Sequence, residues 1–254
     1  MTTQSSLDLS DDHELARWLA TAAGERLLQV REGGLEGREL KDAGDLAAHE
    51  LLMELLAEHR PGDAVLSEEG KDDPVRLSAD RVWIVDPLDG TREFSEPPRD
   101  DWAVHVALTI DGAVIAAAVA LPGRNRTLAT GQPDLPRPSA KVGTPRLLVS
   151  RTRPTEHAQQ LAEHLGAELV PMGSAGAKAM AVVLGEADIY AHSGGQYEWD
   201  SAAPVGVAAA AGFHVSRLDG SPIVYNQPNP WMPDLLICHP VFADQVIAFC
   251  KTDH

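Results

Sequence analysis

Residues 82–85, Val82-Trp83-Ile84-Val85, run directly into Asp86-Pro87-Leu88-Asp89-Gly90-Thr91, so an apolar stretch stops on two aspartates three positions apart. A short, almost wholly apolar run of this kind reads as a buried strand, and Pro87 with Gly90 forces the chain sharply out of it. Two close carboxylates at the end of a buried strand repel each other, and that repulsion has to be offset. The carboxylates of Asp86 and Asp89 and the carbonyl of Leu88 can be aimed at one point there. Hard oxygen donors of this sort suit magnesium or manganese rather than zinc. Asp-Pro and Asp-Gly are also ordinary turn pairs, so a plain turn is the alternative on these residues alone.

Two more acidic positions bear on the choice. Glu68, with Glu69, follows the short apolar run Ala64-Val65-Leu66 and stands eighteen positions before Asp86, so neighbouring strands could bring the two together. Asp200 stands where a helix begins and could add a carboxylate from the other half of the chain; Asp is equally a favoured N-cap. Glu68-Glu69 taken alone reads as a solvated loop. Only the set favours a metal site.

The chain has 254 residues, 44% of them hydrophobic, enough for one large or two modest domains. Residues 1–12 are polar and acidic, without the basic start and apolar run of a signal peptide. No apolar stretch reaches membrane-spanning length, which predicts a cytoplasmic protein with no membrane partner. A net charge of −17 argues against a nucleic-acid duplex as partner. It leaves room for a small phosphorylated substrate, because divalent cations can reverse the local sign. Cys238 and Cys250 lack metal-ligand spacing and read as core residues.

Asp11 with Glu14 resembles a capping box ahead of a helix over 12–30 with Leu15, Trp18, Leu19 and Ala22 on one face. A second helix is predicted over 46–59, and a hairpin over 103–110 and 113–121 with Asp111-Gly112 as its turn. The proline- and glycine-rich segment 130–145 predicts a domain connection, giving domains 1–135 and 136–254. Beyond it the pattern alternates: strand 146–150, helix 154–165, a turn at Gly173-Ser174, helix 175–184, strand 188–191, then a helix opened by Asp200 and ended by Gly212. Alternation predicts an α/β layer.

Glu68-Glu69, the run from Asp86 to Thr91, and Trp199-Asp200-Ser201-Ala202-Ala203 resemble the three signature blocks of the inositol monophosphatase superfamily, in its order and approximate spacing. Asp89-Gly90-Thr91-Arg92-Glu93-Phe94 and Glu198-Trp199-Asp200 look closer to its CysQ-type 3′(2′),5′-bisphosphate nucleotidases, above all the actinobacterial branch. The resemblance implies a two-domain sugar-phosphatase fold of alternating α and β layers with the metal site between domains. It implies two or three Mg²⁺: one on Glu68, Asp86 and the Leu88 carbonyl, a second on Asp86, Asp89 and Asp200, with Glu68 helping to place a third. It also implies that Asp45, twenty-three positions before Glu68, and Thr91 orient and deprotonate the attacking water. On residues alone, Asp45 is equally a helix N-cap and Thr91 a local turn hydroxyl.

For the substrate, Gly90, Thr91 and Gly173-Ser174 offer backbone donors suited to phosphate. Ser174 and Lys178 match the family's substrate loop, and Arg92 is a further candidate for a second phosphate; Lys178 and Arg92 are otherwise solvated cations. Two departures stand out: Leu40-Lys41-Asp42-Ala43-Gly44 lacks the Pro-Val-Thr lead-in of relatives, and His192 replaces a frequent arginine. The implied activity is removal of the 3′-phosphate from 3′-phosphoadenosine 5′-phosphate, lithium-sensitive and part of sulfate assimilation. The rivals are an inositol-1-phosphate or fructose-1,6-bisphosphate phosphatase and a non-catalytic phosphometabolite-binding protein. A homodimer is compatible with the sequence.

Overall fold

The computed structural model describes residues 8–140, 143–152 and 154–252; residues 1–7 of the polar N-terminal stretch and positions 141 and 142 of the connecting segment lie outside it. Two long helices come first, α1 (Asp12–Glu32) and α2 (Gly37–His59). Asp11 caps α1, accepting from the backbone N–H groups of His13 and Glu14. α2 begins nine residues earlier than its predicted start. Gly44 is interior to the helix, where Phe94 and Leu88 pack on it: an added Cβ would stand 2.6 Å from Phe94 Cε1. Residues 40–44, which depart from the Pro-Val-Thr lead-in, are helical.

Next come β1 (Ala64–Ser67), a 3-10 turn (Pro74–Ser78), β2 (Arg81–Asp89), the single turn α3 (Thr91–Phe94), β3 (Ala103–Ile110), β4 (Ala113–Leu121) and β5 (Arg126–Ala129). These strands form one sheet in sequential order, β1 parallel to β2 and the others antiparallel. The predicted hairpin is present with its bounds intact. Asp111 and Gly112 both take positive φ, at 51° and 75°, as a tight primed turn requires.

The second half supplies β6 (Arg146–Ser150), α4 (Glu156–Leu165), β7 (Glu168–Met172), α5 (Ala175–Val183), β8 (Ile189–His192), β9 (Gln196–Tyr197), α6 (Glu198–Ala210), β10 (His214–Ser216), β11 (Trp231–Met232), β12 (Leu235–Cys238) and α7 (Ala243–Thr252). Its main sheet runs β10-β12-β8-β6-β7, mixing parallel and antiparallel pairs.

The core residues give the stacking order. Trp83, Val85, Val104 and Val106 pack with Leu15, Leu19 and Leu52 of α1 and α2. Val82, Ile84, Ala107 and Ala117, on the opposite face of the sheet, pack with Ala203 and Val207 of α6, Met180 of α5, and Leu148, Tyr190 and Ile237 of the second sheet. Leu147, Val149 and Ile189 then meet Leu161 of α4 and Val246 of α7 on the outer face. The result is the expected alternation, α/β/α/β/α. Cys238 and Cys250 are free and buried. Among the described residues no helix is long and apolar enough to cross a membrane.

Candidate active site

The acidic tip of β2 faces the helical layer between the sheets, and a bulge puts it there. Asp86 pairs with His105 and Asp89 with Ala103, so three residue steps on β2 oppose two on β3. In a regular strand, residues three apart point to opposite faces; the extra residue restores the same face for both aspartates. Leu88 is thereby turned to the α2 side, where it packs with Phe94 and Trp102. Pro87 fits this spot because a bulge tolerates a missing donor.

Carboxylate oxygens of Asp86, Asp89 and Asp200 lie within 4.8 Å of one another. Asp86 is 1% exposed. Its Oδ1 accepts from the Leu88 N–H at 3.0 Å, while among the described residues its buried Oδ2 has no hydrogen-bond partner. Burial first, then the charges of Glu68 and Asp89, raise its pKa well above the ordinary value. Glu68 stands at the exposed rim rather than inside the trio; loss of hydration at its carboxylate and the charge of Asp200 push it up to about 7. β1 brings it there, Ser67 pairing with Val85 and the Glu68 N–H donating to Val85 O at 3.3 Å. Asp200 rises to about 6, from burial and then the charge of Asp89.

Asp200 is not an N-cap. α6 starts at Glu198, and Asp200 in its first turn reaches back to accept from the Tyr197 N–H at 2.6 Å. Asp45 is not an N-cap either, because it lies mid-way along α2. Thr91 Oγ1 is 3.4 Å from Asp45 Oδ1 and 3.2 Å from the Leu88 carbonyl. Burial and the Glu69 charge push Asp45 up to about 6. Gly90 holds φ 87°, and an added Cβ would meet Ser174 Cβ at 3.0 Å.

Asp89 is supplied differently. Its Oδ2 accepts from the Ser174 hydroxyl at 2.5 Å and the Gly176 N–H at 2.6 Å, and its Oδ1 from the Ala175 N–H at 3.2 Å. His105 Nε2 is 3.2 Å away, with Nδ1 directed at the Trp199 carbonyl at 2.9 Å. Burial opposes ionisation, but the His105 charge and these donors outweigh it and hold Asp89 at about 2. The Gly173 N–H is also committed, to Asp101 Oδ2 at 2.7 Å. The Gly173 N–H, the Ser174 hydroxyl and the Ala175 and Gly176 N–H groups are therefore engaged by Asp101 and Asp89.

Asp89, Gly90, Arg92, Ser174, Lys178, His192 and Asp200 share one cleft of about 460 Å³. Lys178 is no solvated cation. It is buried, donates to the Gly173 and Ser174 carbonyls, and lies 5.1 Å from the centre of the Tyr190 ring. Arg92 is exposed and paired with Glu96 at 3.1 Å. His192 contacts the Gly195 carbonyl at 2.9 Å, and burial lowers its pKa. Sequence reasoning missed His105, whose signal was an ionisable side chain in the apolar run 103–108. It also missed Asp101, which carried none, and it named Glu198 only as part of a motif, without a role.

The inositol monophosphatase family profile matches residues 9–248, and the chain belongs to that family. A Mycobacterium leprae protein named 3′-phosphoadenosine 5′-phosphate phosphatase is 53% identical over 241 residues, 89% of each chain. The Escherichia coli 3′(2′),5′-bisphosphate nucleotidase CysQ is 33% identical, covering 82% of this chain and 91% of its own. Inositol monophosphatase II of Staphylococcus aureus superposes with a TM-score of 0.79 over 94% of this chain and 92% of its own, at 22% identity, which carries the fold.

Proposed function

Within this family, we propose that the protein is a magnesium-dependent phosphatase that removes the 3′-phosphate of 3′-phosphoadenosine 5′-phosphate, giving AMP and phosphate. The observation that carries the chemistry is the buried trio Asp86, Asp89 and Asp200, with one Asp86 oxygen lacking any partner among the described residues. Such a group calls for a cation, and an all-oxygen donor set fits magnesium. Glu68, Asp86 and the Leu88 carbonyl would hold one ion, Asp86, Asp89 and Asp200 a second, and Glu68 would contribute to a third. Bound there, magnesium polarises the phosphoryl oxygens and offsets charge on the entering and leaving oxygens.

The chain's own groups do the rest. Asp45, held near neutrality by its surroundings, accepts a proton from the attacking water while the Thr91 hydroxyl orients it. Gly90 lets the chain pass closely beside Ser174 and Trp102, and its N–H with that of Thr91 would meet the phosphate. Lys178 and Arg92 meet the phosphate that is not cleaved, and Ser174 acts by orienting Asp89. The substrate assignment is supported by the name of the 53%-identical relative. A cytoplasmic role in sulfate assimilation, lithium inhibition at the position formed by Asp86, Asp89 and Asp200, and a division into domains 1–135 and 136–254 belong to the same reading.

Phosphate release from 3′-phosphoadenosine 5′-phosphate, inositol-1-phosphate and fructose-1,6-bisphosphate, each with magnesium or with chelator, tests it. The bisphosphorylated nucleotide should give the highest kcat/KM, and chelator should abolish turnover. A higher kcat/KM for inositol-1-phosphate transfers the assignment to that rival; no release from any of them leaves the binding-protein reading.

A further inference from the structure

Glu198 opens α6 two residues before Asp200, is 1% exposed, and does not line the cleft. Its Oε2 accepts from the Asn226 N–H at 2.7 Å and its Oε1 from the Gln227 N–H at 2.8 Å, while its own N–H donates to Pro230 O at 2.8 Å. The loop it grips is gripped from the other side. Arg76, also 1% exposed, donates from Nη1 to Asn226 Oδ1 at 2.7 Å and from Nη2 to Gln227 O at 3.0 Å, and Asn226 Nδ2 donates back to Arg76 O at 3.0 Å. Asp72 holds the same guanidinium through both oxygens, at 2.6 and 3.0 Å. Arg76 follows Glu68 by eight residues in the segment leading out of β1. A chain of hydrogen bonds thus runs from the 3-10 turn that follows Glu68 by a few residues to Glu198, in the helical turn that carries Asp200.

We infer that Arg76, Asn226 and Glu198 are positioning residues that fix Asp200 relative to Glu68 and thereby set the affinity of the acidic site for its divalent cation; the inference rests on the metal-site reading above. Glu68 and Asp200 come from segments 132 positions apart, and β1 and α6 belong to different layers. Taking Arg76 and Glu198 out of water costs free energy, so such a network is weak evidence for stability and better evidence for fixed geometry. Groups that orient ligands from outside the coordination sphere typically change metal affinity by about ten- to a hundred-fold when removed.

Asn226→Gly is the decisive variant. Asn226 holds φ +57°, which glycine adopts without strain, so the backbone is kept while both side-chain bonds to Arg76 are lost. Mn²⁺ binding followed by electron paramagnetic resonance should weaken by about ten-fold or more, and the magnesium midpoint of activity should rise in parallel. Turnover at saturating magnesium should be largely kept. Arg76→Leu should show the same displacement if it folds. A lowered Tm with unchanged Mn²⁺ affinity in Asn226→Gly overturns the inference, since that is the signature of a merely structural role. Asp200→Asn is the reference: unchanged Mn²⁺ binding there overturns the metal-site reading itself. Weakened binding in Asp200→Asn alone overturns only the positioning role.

Discussion

Asp86 and Asp89 stand three residues apart on one strand and face the same way, yet their surroundings differ in kind. Asp89 is served by protein: a histidine, a serine hydroxyl and the backbone N–H groups at the start of α5 stabilise its charge. Asp86 receives one backbone N–H and is otherwise left among other carboxylates. The first ties the two halves of the molecule together, because its donors come from residues 174–176. The second keeps one buried oxygen without a hydrogen-bond partner among the described residues. Proximity in sequence and shared burial therefore do not make two carboxylates equivalent; what counts is where the compensating charge comes from.

Asp86→Asn should have the largest effect. Turnover at saturating magnesium should fall below about a tenth of wild type, a loss of more than about 1.4 kcal/mol, because an amide cannot supply the shared charge. In chelator the same variant should be as stable as wild type or more so, since a buried like-charge conflict is relieved. Retention of a tenth or more of turnover would sink the two-metal assignment.

Asp89→Asn should reverse the second half of that result. In chelator it should lose about 1 to 3 kcal/mol in urea unfolding, because the buried donors of Ser174, Ala175 and Gly176 lose their carboxylate and His105 loses the charge that holds its proton. Stability shifts of the same sign in the two variants would break the comparison.

A smaller effect is expected where α5 meets the cleft. Lys178→Ala should lower kcat/KM for the bisphosphorylated nucleotide relative to inositol-1-phosphate by about ten-fold, as loss of a charge-assisted bond of roughly 1.5 to 3 kcal/mol predicts. An unchanged ratio removes Lys178 from the substrate site.

The smallest effect sharpens the contrast through pH. Without metal, Glu68 is pushed up to about 7 and Asp45 and Asp200 to about 6, from ordinary values of 4.5 and 3.8. Between these limits the folded state holds more protons than the unfolded one, so stability should fall as pH rises from about 4 to about 7. Solvent access to these groups keeps the slope shallow. Thermal unfolding in chelator across that range measures it, and saturating magnesium should flatten it. A Tm that rises with pH in chelator would contradict the crowding.

How much of this was legible follows the locality of the signal. The hairpin over 103–121 and the acidic tip of β2 could be read because a turn dipeptide and a run of apolar residues act within a few positions. The start of α2 could not, because Gly44 serves the packing of Phe94, a contact distant in sequence. The link from Ser174 to Asp89 was hidden for a related reason: its hydroxyl matches phosphate chemistry, and only the fold shows that it also donates to Asp89. The strands after residue 213 went unread because β12 takes its place between β10 and β8 through partners distant in sequence. Glu198 was visible only as part of a motif, since its partners lie nearly thirty residues on.

The bulge between Asp86 and Asp89 makes the tip of β2 a counting device. Side chains along a strand alternate between even and odd, and the extra residue converts an odd interval into an even one. Exchanging Pro87 or Leu88 for other residues leaves that parity alone. Removing either one would leave an interval of two on a regular ladder, which keeps both aspartates on one face while losing the bulge, whereas adding one without a second bulge would leave an odd interval and turn Asp89 to the face opposite Asp200. The turn is thus less tolerant of an added residue than of a change in composition. A lineage carrying a one-residue insertion here would lose the site while keeping every one of its acidic residues.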